Sequence, residues 1–116
     1  LKKGGKLIAT TPNGNSLSHQ RHGKYWRGLE PPRHIQIFTP NSLSKVMEQA
    51  GFSNRVVKTL STGAAGIYKV SALASKKKSF FMKTLRTIES IFLELVEQHR
   101  NDNDIGQDIL IIATKE

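Results

Sequence analysis

The run DILIIAT, residues 108–114 of a 116-residue chain, limits the possible folds more than any other stretch. It is continuously apolar from Ile109 to Ala113, has strand length, and is bounded by the turn-forming Asn101 to Gly106. A run without alternation reads as a strand buried on both faces. Such a strand sits centrally in a sheet that helices cover, which is an α/β architecture. A long helical segment precedes it, so spacing does not set its direction.

Other elements follow from local signals. KLIATT, residues 6–11, reads as a strand entered from the Gly4-Gly5 turn and stopped by Pro12-Asn13-Gly14-Asn15. Residues 14–37 read as a long polar connection, of the length that is usually functional or disordered. Thr39 is the expected N-cap of the next helix and Pro40 its N1 residue, where a missing N–H costs nothing. Phe38 and Leu43 are placed for a hydrophobic staple. Leu43, Val46, Met47 and Ala50 share one face, and Gly51 is the natural left-handed residue after the helix. Residues 54–60 read as a second strand and 61–66 as a flexible turn, while 67–74 suit strand or helix equally. An amphipathic helix is expected over 80–96, with Phe81, Leu85, Ile88, Phe92 and Leu95 as its stripe, to be buried against protein.

Charge narrows the range of partners. The net charge is +9, and residues 1–60 carry ten Lys/Arg against Glu30 and Glu48. That basic half suits an anionic partner, or equally a solvated face opposite an acidic one. No apolar run reaches the ~20 residues that span a bilayer. The chain has no cysteine, which removes disulfides and thiolate metal sites and fits a reducing, cytoplasmic setting. His19 and His22 are three apart, but no cysteine or nearby carboxylate completes a metal set, so no metal site is expected.

LKKGGKLIATTPN, the run from Trp26 to Pro31-Pro32-Arg33-His34, and the Ala50-Gly51-Phe52 helix end occur in an informative order. Together they resemble the C-terminal part of class I S-adenosylmethionine-dependent methyltransferases. The resemblance implies a Rossmann-like sheet whose last strand inserts antiparallel between the two before it. It covers residues 1–60 and 107–116, leaving a helical insertion at about 61–106. On this reading residues 1–116 form a single partial domain. The glycine-rich cofactor loop and the ribose-binding acidic residue of the family do not occur in this sequence, so S-adenosylmethionine is the cofactor of a longer parent. The fragment itself is expected to bind that cofactor weakly and to be inactive alone.

Candidate site residues cluster in two places. Thr10, Thr11 and Asn13 lie at the carboxyl end of the first strand, where open α/β sheets bind ligands. Asn13 suits substrate contact there, and equally a turn. His19 to His34 form the densest polar and aromatic cluster, with Trp26 and Tyr25 as flat surfaces and Arg27 and Arg33 as anion-binding forks. His34 suits a general base that accepts the proton of a substrate hydroxyl. It also suits a helix-entry histidine bonded to backbone. The resemblance places His34, Arg33 and Trp26 over the active site, against a small-molecule or lipid-linked acceptor. The alternative function is a basic nucleic-acid-binding module with Tyr25 and Trp26 stacking bases. It lacks a recognisable nucleic-acid motif. The 80–96 helix is the expected face for a homo-oligomer. Lys76-Lys77-Lys78 before Phe80-Phe81 offers a membrane-surface reading, which Glu89, Glu94 and Glu97 oppose.

Overall fold

The computed structural model describes residues 1–61, 63–74, 85, 88–89, 91–92, 95–96 and 104–116. Strand β1 spans Lys6–Pro12, helix α1 Leu17–His22, helix α2 Pro40–Gln49, strand β2 Phe52–Leu60, helix α3 Ala64–Ala74 and strand β3 Asp108–Lys115. Two short 3₁₀ turns, Gly23–Tyr25 and Arg27–Leu29, lie between α1 and α2.

The three strands form one sheet in the order β1-β3-β2, and β3 is antiparallel to both neighbours. The apolar run is therefore central, as its composition requires. It is not buried on both faces. Ile109, Ile111 and Ala113 are fully buried, while Leu110, Ile112 and Thr114 are only partly covered. The register explains the difference. Ile8, Ile112 and Val56 stand opposite one another on the second face, where Ile8 is 68% and Val56 48% exposed. That row is only partly covered. The covered face packs Ile109 and Ile111 against Leu43 of α2, with Ala9, Phe38, Met47 and Val57 around them.

Helix α2 is set at both ends by its sequence. The Thr39 hydroxyl accepts from the Ser42 N–H, and the Ser42 hydroxyl accepts from the Thr39 N–H, closing a capping box with serine in the usual Glu/Gln position. At the other end Gly51 takes φ +74°, and the Lys115 ammonium donates to the Ala50 carbonyl at 2.7 Å. A cation on the last carbonyls also suits the helix dipole. The helix that carries Leu43 is thus tied to the end of β3, the strand on which it packs.

Two segments differ from their sequence reading. The polar connection 14–37 is folded: Ser16 caps α1 by accepting from the His19 N–H, and Trp26 is buried at 2% exposure. Residues 64–74 are helical, which resolves the ambiguous stretch and removes part of the expected turn. Tyr68 and Ser71 on α3 are buried against this connection, and the Ser71 hydroxyl accepts from the Arg27 N–H at 2.8 Å. Tertiary contact thus decides a segment that periodicity left open.

The described residues between 85 and 96 are helical, and Leu85, Ile88, Ile91, Phe92 and Leu95 are each about half exposed or more. The expected burial of this stripe is therefore not met within one chain. Phe81 and the lysine triplet lie outside the described residues. No helix among the described residues is long and apolar enough to cross a membrane.

Candidate functional site

A cavity of about 560 Å³ opens at the carboxyl end of β1. Thr10, Thr11 and Pro12 form one wall, and Gln107 and Asp108, where β3 begins, form the next. The loop before α2 contributes Arg27, Gly28, Glu30 and His34; α3 and its preceding turn contribute Gly63, Gly66, Ile67 and Val70. The result is a polar floor with an aliphatic side, the usual make-up of a small-molecule site.

The loop is held by Trp26. Its ring stacks on His19 with centroids 4.6 Å apart, and the His19 Nδ1 is 2.8 Å from the Gly14 carbonyl. Gly28 is required by this packing, because a Cβ there would lie 2.2 Å from the Trp26 ring. Trp26 therefore acts from beneath the site. Its ring is buried and presents no open face to a substrate or a nucleic-acid base.

Glu30 is the hub of the loop. It adopts a left-handed backbone at φ +30°, and its carboxylate pairs with Arg27, with Arg33 at 3.2 Å, and with His34 Nε2 at 3.7 Å. The Arg33 side chain is 73% exposed, so its pair adds at most about 1 kcal/mol. Arg33 is not among the residues lining the cavity. Arg27 and His34 line it directly.

Asn13 is wholly buried, and its side chain is occupied by the chain itself. Its Nδ2 donates to the carbonyls of Asp104 and Gly106 at 2.7 and 2.8 Å, and its Oδ1 accepts from the Asn15 N–H at 2.9 Å. It pins the turn after β1 to the entry of β3, holding two cavity walls together. Five sequence candidates thus divide: His34 and Arg27 on the wall, Trp26 and Asn13 beneath it, Arg33 outside.

Asp108 and Gln107 were not legible as site residues. Burial pushes the Asp108 carboxyl above its usual range, opposed by the nearby His34. Gln107 is 2% exposed, and its Oε1 has no hydrogen-bond partner among the described residues. They lie 95 and 96 positions beyond Pro12, the last residue of β1, and only strand pairing brings them to its end.

Residues 1–57 match the family model described as a methyltransferase domain. No curated protein and no solved structure matches the chain.

Proposed function

We propose that the methyltransferase domain to which residues 1–57 belong uses this cavity as its acceptor site, within a longer S-adenosylmethionine-dependent enzyme. The observation that carries the reading is the meeting of His34, Glu30 and Arg27 with the carboxyl end of β1 around one cavity. That edge is where open α/β sheets place ligands. The acceptor is a small or lipid-linked molecule, methylated in the cytoplasm, and its aliphatic part rests on Ile67 and Val70.

His34 takes the proton of the acceptor hydroxyl at Nδ1, since Nε2 faces Glu30, as that oxygen becomes a nucleophile. Glu30 then faces the resulting imidazolium, a charge pair that strengthens only once the proton has moved. Arg27 holds Glu30 in place, and its backbone is itself held by Ser71. S-adenosylmethionine supplies the methyl group. By the family resemblance, most of its contacts fall to the rest of the parent, and the acceptor wall to this chain.

The test is S-adenosylhomocysteine release by the full-length protein, with cell extract as the acceptor source. His34→Ala should lower turnover by about 10²-fold or more while the fold persists. Unchanged turnover in a folded variant would return His34 to a structural role.

A further inference from the structure

The proposed chemistry leaves one ionisable group of the cavity without a task. Asp108 lines the cavity where β3 begins and is partly exposed, so a ligand can reach it. Ile109 and Ile111 turn to α2, and strand alternation therefore turns the Asp108 carboxyl to the other face. Its neighbours across the sheet are Pro12 on β1 and Leu60 on β2, and neither side chain can hydrogen-bond to it. Among the described residues no cation forms an ion pair with it. Arg27 and His34 line the same cavity, but the Arg27 guanidinium and His34 Nε2 are both engaged by Glu30. Burial raises the Asp108 carboxyl above its usual range, and the nearby His34 offsets this only in part. A carboxylate drawn from water without a partner is costly, and most such groups are paired.

We infer that Asp108 binds a cationic amino group of the acceptor, while the hydroxyl to be methylated lies at His34. The inference rests on the cavity being the acceptor site. An ammonium is the fitting partner because it supplies both the charge that the carboxylate lacks and several N–H donors. It leaves the Arg27–Glu30 pair intact. An anionic group would have to draw Arg27 away from Glu30, and it would still meet the Asp108 charge on the same wall. Ile67 and Val70 leave an apolar surface for the rest of the molecule. The acceptor class is thus an amino alcohol with an aliphatic part. Asp108 sets specificity rather than performing chemistry.

Cyclohexylamine and cyclohexanol separate the possibilities when titrated at neutral pH into the 116-residue chain and followed by amide chemical shifts. They share one ring and differ in charge. The net charge of +9 repels cations from the chain as a whole, so a preference for the amine reports a local carboxylate. With Asp108 free to pair, the amine should bind roughly five- to tenfold tighter than the alcohol. Asp108→Asn keeps the shape of the side chain and removes its charge. It should reverse the order, because the ammonium then loses water without gaining a counter-charge. Equal or weaker binding of the amine, with both ligands shifting cavity resonances, overturns the anchor and leaves the acceptor-site reading standing. An amine preference that survives in folded Asp108→Asn also overturns it. Absence of any cavity shift with either ligand overturns both readings.

Discussion

Gly28→Ala is the smallest change that should disturb the site through its support. The added Cβ would lie 2.2 Å from Trp26 Cζ2 and 2.4 Å from Cε2, against about 3.4 Å for ordinary contact. The ring would have to retreat by about 1.2 Å, the difference between those distances. It has little room, being 2% exposed and stacked on His19. Overpacking of this kind costs about 1–3 kcal/mol. With a urea dependence of about 1–3 kcal/mol per molar, the midpoint should fall by roughly 1 M. Trp26 is the only tryptophan of the chain, so its fluorescence reports the displacement directly. We expect a red-shifted emission maximum in the native variant, before unfolding begins. In the parent enzyme the same substitution should impair acceptor binding, because Arg27 and Glu30 flank Gly28 in the loop. An unchanged emission maximum together with an unchanged midpoint would refute the claim that Trp26 supports the cavity wall.

Other consequences are equally direct. Thr39→Ala removes half of the capping box and should cost about 1 kcal/mol in denaturant unfolding. Ile111→Ala, in the covered core between β3 and α2, should cost about 2–5 kcal/mol in the same assay. The raised pKa of Asp108 means that the folded state holds its proton more tightly than the unfolded state does. Its contribution is fully present below the ordinary aspartate value of 3.8 and is lost as pH rises through the folded pKa. Asp108→Asn should therefore be more stable than the parent sequence at neutral pH, with the advantage vanishing toward pH 3 in a stability–pH series. The exposed Leu85, Ile88 and Phe92 should drive self-association, so light scattering should show a species larger than a monomer and Phe92→Glu should reduce it.

What the sequence made legible was local. Thr39, Pro40 and Gly51 mark α2 because caps act within a turn of the chain that carries them. The apolar run 108–114 announced a central strand for a similar reason, since composition records burial. It overstated that burial because composition does not say which segment supplies each cover. Here α2 covers one face, and the row Ile8, Ile112, Val56 is only partly covered. The site was legible only where chemistry and position coincide. His34 and Arg27 stand out as residue types in a basic loop, and both reach the cavity. Asn13 suited a ligand contact or a turn, and its three hydrogen bonds, to residues 15, 104 and 106, give it the turn role and a tie to the entry of β3. Gln107 and Asp108 carried no signal in the sequence, because only antiparallel pairing with β1 across most of the chain brings them to the cavity. Helix α3 became definite only through Tyr68 and Ser71, whose partners lie in the loop it supports.

The central claim, that this cavity receives the methyl acceptor, is tested most directly by filling it. Gly66 lies on α3 at the cavity wall, and a Cβ built there meets no atom within 4 Å. A Cβ at this position therefore enters free space at the cavity wall. Gly66→Ala should raise stability by about 0.5–1 kcal/mol through helix propensity alone. Gly66→Phe should preserve the fold and obstruct the cavity. S-adenosylhomocysteine release by the full-length protein should then fall by about 10²-fold or more, in line with loss of productive positioning. Full turnover in a folded Gly66→Phe enzyme would contradict the account and move the acceptor site elsewhere.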